Sequence, residues 1–173
     1  IIRNGVEMNS MSFYSHLNKN GIKGHINTVE LASINGLFPL FFDGEKMATF
    51  FADLAPTGKI NDISFYHNET STAVSAQLNN ISNQYSYGIP STKNVNGELT
   101  FANNKFHINL TSHNSSLDFK EHFTQPIPYS TLSTEIIGEI SKNQWNVVAK
   151  NVQLTSENLT LKGKVTVNKI NNS

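Results

Sequence analysis

The chain contains no cysteine, which excludes disulfides and thiolate metal sites and leaves the compartment open. It has no surplus of charge: 13 Lys and Arg balance 13 Asp and Glu, and charged residues make up only 15%. Nucleic-acid binding needs a basic face, and anionic lipid surfaces attract polybasic segments; neither partner is indicated. It also lacks a long apolar run. The greasiest window, Gly36-Leu37-Phe38-Pro39-Leu40-Phe41-Phe42, falls far short of the ~20 residues of a spanning helix. Any anchor or signal segment is therefore expected outside this chain. The first residues, Ile1-Ile2-Arg3, support reading it as a piece of a longer protein.

Catalytic signatures are missing as well. There is no G-x-S-x-G, P-loop, GxGxxG or HExxH. His107, His113, Asp118, Glu121 and His122 come nearest to a ligand cluster, but on alternating strands they need not converge. We read them as solvated loop residues and assign no metal and no catalytic residue. Trp145 reads as core rather than as a ligand platform.

What the chain has is Asn, Ser, Thr and a change of hydrophobic period. Five sequons occur, at Asn68, Asn80, Asn109, Asn114 and Asn158. A secreted glycoprotein would use them, but in a chain this rich in Asn and Ser/Thr we read them as chance. Ile34, Leu37, Phe38 and Phe41, then Met47, Phe50, Phe51 and Leu54, follow helical spacing, with Asp43 as a cap between them. Pro56 and Gly58 in ADLAPTGKINDISF are expected to end the second helix and set the angle at which the sheet begins.

From Lys59 the period becomes two. Ile63 and Phe65 alternate with polar neighbours, and a bulge is expected at Asn61-Asp62 because Ile60 has the wrong parity. Strands follow around Val74–Leu78, Leu99–Phe101 and Phe106–Leu110, with Asn103-Asn104 as a two-residue hairpin. A turn at His113-Asn114 should precede a short strand at Leu117–Phe119, and Pro126-Ile127-Pro128 should cross outside any ladder. Leu132–Ile140, Trp145–Ala149, Val152–Leu154 after a parity switch, and Leu159–Val167 complete a meander. Residues 1–31 read as strands continuing an upstream repeat, and 32–173 as a helix-plus-meander segment of one β-rich domain. The helices near 33–54 cannot cover the apolar face of so many strands. Either the sheet folds on itself, or part of that face stays open to something apolar.

A family resemblance rests on an ordered set: the Leu/Phe-rich helix; Ala55-Pro56-Thr57-Gly58-Lys59-Ile60; Gly88-Ile89-Pro90; Asn96-Gly97-Glu98-Leu99; Gln125-Pro126-Ile127-Pro128; and a Trp145-bearing strand. Over roughly residues 30–170 the chain resembles the central region of the large AsmA-like, YhdP-type proteins of Gram-negative bacteria. The resemblance implies a mainly β fold, a curved antiparallel meander with a groove. It implies an inner-membrane anchor outside this chain and a periplasmic location. It implies a part in moving phospholipid between inner and outer membranes, with no catalytic residue and no cofactor. Groove candidates are then Phe50, Leu54, Ile63, Phe65, Leu99, Phe101, Ile108, Leu110, Ile136, Ile140, Val147, Leu161 and Val165, with Gly138, Ala149 and Gly163 leaving room between larger side chains. Cut strand edges would expose the isolated segment to self-association. The competing class is a β-sandwich adhesin or surface-binding module with recognition in its loops.

Overall fold

A computed structural model describes residues 2–3, 6–7, 12–34, 45–120, 122–140 and 144–170. Two short strands, β1 (Ile2–Arg3) and β2 (Val6–Glu7), pair with each other. The rest is one antiparallel sheet of nine strands in chain order: β3 (Phe13–Asn18), β4 (Gly21–Glu30), β5 (Thr57–His67), β6 (Thr72–Asn83), β7 (Thr92–Ala102), β8 (Lys105–Leu117), β9 (Ile127–Ile140), β10 (Gln144–Thr155) and β11 (Thr160–Ile170). Helices α1 (Leu31–Ile34) and α2 (Glu45–Leu54) lie between β4 and β5. The expected meander is thus a single open, curled sheet. Apart from the β1–β2 pair, the described strands all belong to this one sheet rather than to the two large sheets of a sandwich.

Its two ends differ in how strands are joined. At one, the hairpin end, residues 19–20, 68–71 and 103–104 make tight connections. Asn103 and Asn104 both have positive φ (47° and 69°), the conformation a two-residue hairpin demands and Asn tolerates. At the other, the crossover end, segments 31–56, 84–91 and 118–126 intervene, with 156–159 the one tight connection among the described residues.

The strands outlast their own alternation because of bulges. Asp62, Asn80, Asn94, Asn114 and Asn151 all sit inside strands at φ between 49° and 55°. Four of them coincide with register shifts, and β8–β9 pairing skips Asn114. Left-handed backbone suits Asn and Asp better than other residues with a Cβ. A bulge inserts one residue, re-aims the side chains and deepens the twist. The bulge expected at Asn61-Asp62 is therefore present, as is the parity switch between Ala149 and Val152.

Several local expectations need correcting. Asn114 is a bulge rather than a turn, so β8 runs on to Leu117 and Phe119 lies outside it. Pro128 lies within β9, opposite Ser116, beyond the last β10 partner at Thr131. There one side of the strand is open, and a Pro nitrogen facing it costs no ladder bond. Helix α2 ends on Ala55 (φ 41°), whose amide donates to the Phe51 carbonyl at 3.0 Å, before Pro56 and Gly58 are reached. Gly58 belongs to β5, at φ 114°, and a Cβ there would lie 2.6 Å from the Asn80 carbonyl oxygen. The helical pattern at Leu37, Phe38 and Phe41 falls outside the described residues.

Candidate functional site: an apolar sheet face

Register places the apolar residues on one face in successive rows across the sheet. Nearest the hairpin end, Gly24, Phe65, Val74, Phe101, Phe106, Gly138, Val147 and Val167 are directly paired, each with the next, from β4 to β11. Two residues further along comes Ala76–Leu99–Ile108–Ile136–Ala149–Val165, with Ile26 and Ile63 paired on β4 and β5. Then Leu78, Gly97, Leu110 and Thr134 pair in turn. A row toward the crossover end reads Ile81–Val95–Ser112–Leu132–Leu154–Leu161.

By register, all eleven strand candidates read from the sequence (Ile63, Phe65, Leu99, Phe101, Ile108, Leu110, Ile136, Ile140, Val147, Leu161 and Val165) fall on this face. The side chains of Ile140 and Phe50 lie outside the described set. Leu54, in α2, is half-buried, and its carbonyl accepts the Gln84 amide at 2.8 Å.

The face is incompletely covered. A compact monomer of this mass exposes roughly 8,400 Å², whereas this chain exposes 12068 Å². Exposure is greatest at the two sheet edges: Leu17 is 76% exposed and Phe13 57% on β3, and Val165 is 55% exposed on β11. The rings of Phe13 and Phe65 stack with centroids 6.2 Å apart. Residues of the hairpin-end row on β5–β8 are half-buried.

Toward the crossover end the row closes over on β7, β8, β9 and β10, while Leu161 on the β11 edge stays 49% exposed. Val95 and Leu154 are buried, Tyr129 is 3% exposed and Ser112 not at all. The Tyr129 hydroxyl donates to Ser112 Oγ at 2.9 Å, and Ser112 donates to the Lys93 carbonyl at 3.2 Å. Each buried hydroxyl thus has a partner, which removes the penalty of burying it. Sequence reasoning missed this pair. Ser112 has the parity of Ile108 and Leu110, and that was the available signal.

Of the small positions expected to leave space, Gly138 is filled: the Phe106 ring lies where its Cβ would be. Gly163 does have open space beside it.

The opposite face is polar and internally paired. Lys59 meets Glu30 at 3.5 Å, His107 Nε2 meets Glu135 Oε1 at 3.0 Å, and Asn151 donates to the other Glu135 oxygen at 3.3 Å. A hollow of about 620 Å³ draws its lining from both sets: Ser64, Ser75, Thr100, Ala73 and Ala102 alternate with the apolar rows, while Gly24, Phe65, Val74 and Phe101 belong to the hairpin-end row. Among the described residues no three His, Cys, Asp or Glu gather to hold a metal, and no helix is long and apolar enough to cross a membrane. Asn68, the first sequon residue, is used structurally. Its Oδ1 accepts the amides of Thr70 and Ser71 at 3.0 and 2.7 Å, and its Nδ2 donates to the Tyr66 hydroxyl at 2.7 Å.

Chemically, an open hydrocarbon face with polar groups paired among themselves suits a ligand held by burial of area. It offers no convergent polar groups of the kind that orient a substrate for reaction. In comparison with known proteins, the family model described as "YhdP protein" matches residues 1–172. No curated protein and no solved structure matches.

Proposed function

Because the chain belongs to the YhdP family, whose AsmA-like grouping implies a cell-envelope protein, we propose that it is a non-catalytic segment of a groove for phospholipid transfer between inner and outer membranes. In this reading it lies in the periplasm, and an anchor outside this chain ties it to the inner membrane. One observation carries the proposal: an apolar face running across nine strands that stays half-exposed toward the hairpin end. Area burial is worth ~25 cal/mol per Å², so acyl chains covering that face gain more than scattered surface contacts would. The lining is non-directional, and no strong polar contact holds a chain in one place, so a tail can slide.

Native mass spectrometry of protein taken from cell membranes tests this. Bound phospholipid is expected, and a clean lipid-free mass with no uptake from vesicles of phosphatidylethanolamine and phosphatidylglycerol overturns it. Ile136→Asp puts a charge on the floor and should sharply reduce the lipid-bound fraction. Circular dichroism of the same sample must show the sheet intact.

A further inference from the structure

A second concave surface lies behind the apolar face: the hollow of about 620 Å³. Its lining is four triplets, 23–25, 64–66, 73–75 and 100–102, centred on the hairpin-end row, together with Tyr14. Residues two places further along the apolar face, such as Ile63, Ala76 and Leu99, are not part of it. The neighbours one place away on both sides are, and alternation puts those on the opposite face. In register they form two rows, Tyr14–His25–Ser64–Ser75–Thr100 and Lys23–Tyr66–Ala73–Ala102. The hollow therefore opens on the polar face, where small side chains let the central row be reached from behind.

From β4 to β7 the strand spacing gives it a width of about 14 Å, and its volume lies within the roughly 300–1,000 Å³ of ligand sites. Two phenol rings stand on its β3–β5 side. Tyr14 is 65% exposed. Tyr66 is half-buried and fixed: its hydroxyl donates to the Asn20 carbonyl at 2.9 Å and accepts from Asn68 Nδ2 at 2.7 Å, so its ring is a ready platform. The exposed hydroxyls of Ser75 and Thr100 meet no protein partner among the described residues. Lys59, Lys105 and His107 are each paired with a glutamate, whereas exposed Lys23 forms no ion pair among the described residues. The lining holds no Asp or Glu, and Glu98, one row toward the crossover end, accepts from Gln77 at 3.3 Å.

Carbon surface for a flat ring, free hydroxyls and an uncompensated cation together are the complement of an acidic sugar. An aryl acid leaves the hydroxyls idle, a neutral sugar leaves Lys23 idle, and nucleic acid calls for many phosphate contacts where Lys23 and His25 are the only basic groups. We propose that this hollow binds a saccharide bearing a carboxylate. Its rings lie on the Ala73–Ala102 floor against Tyr14 and Tyr66, its hydroxyls meet Ser75 and Thr100, and its carboxylate meets Lys23. The site is independent of the lipid reading of the other face.

Titration of the whole chain with trigalacturonate, followed by heteronuclear NMR, tests this. Saturable shifts are expected at the amides of 23–25, 64–66, 73–75 and 100–102. Lys23→Gln, a change at an exposed side chain, should weaken trigalacturonate binding about tenfold, the worth of one charge-assisted hydrogen bond, and leave the neutral galactose trimer as it was. Tyr14→Ala should weaken both trimers. The absence of saturable shifts at millimolar trimer, or shifts centred on other residues, overturns the site. Equal affinity for the acidic and neutral trimers, an unchanged affinity in Lys23→Gln, or tighter binding of naphthoate than of either trimer overturns the ligand assignment.

Discussion

The hairpin end and the crossover end are built from the same nine strands and the same alternation, yet one stays open and the other closes. Phe65, Val74, Phe101 and Phe106 remain half-exposed, while Val95, Ser112, Tyr129 and Leu154 are buried. Apolar content does not account for the difference, since the open end carries the larger side chains. Backbone does. All five in-strand residues at positive φ lie on the crossover side of the Ala76–Leu99–Ile108–Ile136 row. Each bulge adds twist and shifts the parity of the residues beyond it. On β9 the inward set changes from Leu132 to Tyr129, and that change brings a tyrosine over Ser112. The open end is the regular part of the ladder, and the buried end is the part that holds the left-handed residues.

The comparison breaks most sharply if the closed end is emptied. Tyr129→Ala should cost about 3–5 kcal/mol, the range for deleting a buried aromatic ring. Phe106→Ala on the half-exposed row should cost roughly 1–2 kcal/mol, because much of its area is never buried. Equal shifts of the two midpoints in urea would mean that the ends are not different. Next in size is Gly58→Ala, at about 2–3 kcal/mol. Its new Cβ meets the Asn80 carbonyl, which is backbone and cannot swing aside, at a φ that L side chains avoid. Gly138→Ala at the open end meets the edge of the Phe106 ring, which can shift, and lies 3.0 Å from the Asn146 carbonyl oxygen, and should cost roughly 1–2 kcal/mol.

Much of this was legible in the residues. Period-two alternation placed every strand candidate on a single face, because one side chain per residue leaves the sheet only two faces to choose between. The Asn103-Asn104 hairpin and the Asp62 bulge were legible too. What misled was Asn itself. Asn114 and Asn103 have the same left-handed backbone and the same local polarity. Asn103 turns the chain and Asn114 merely bulges it, and the deciding factor is whether the neighbouring strand carries on. β9 does carry on past Asn114, through pairs His113–Thr131 and Ser115–Tyr129, and nothing within five residues of Asn114 announces that. The Tyr129–Ser112 pair was hidden for the same reason, since it depends on a parity change far away in sequence. The Phe106–Gly138 contact was hidden because a glycine reads as space until its cross-strand partner is known.

If bulges make the difference, changing one should register modestly and in a specific order. Asn114→Val forces a β-branched residue into left-handed backbone and should cost about 1–2 kcal/mol. Asn114→Gly should be within a few tenths of the parent, since Gly accepts that conformation freely. A reversed order in urea denaturation would mean that the Asn side chain, and not its backbone, matters there.

The smallest expected effect concerns the clasp that ties α2 to the 84–91 connection at the crossover end. The Tyr87 hydroxyl donates to Asp53 Oδ2 at 2.6 Å. That hydrogen bond foremost, then desolvation and the carboxylate charge, holds the Tyr87 phenol above its ordinary value. A raised pKa on a phenol means that the neutral form is the one the fold prefers. The contribution is therefore fully present below the unfolded phenol's pKa near 10 and is lost as pH climbs through the folded value. The site is solvent-exposed, so the effect is small. Ultraviolet titration of the parent against Tyr87→Phe should show a phenol step above the ordinary tyrosine range in the parent that is missing from the variant. Asp53→Asn, which removes the carboxylate but keeps the helix, should move that step back toward the ordinary range, and a step unchanged in both variants would mean that the clasp does not hold the phenol.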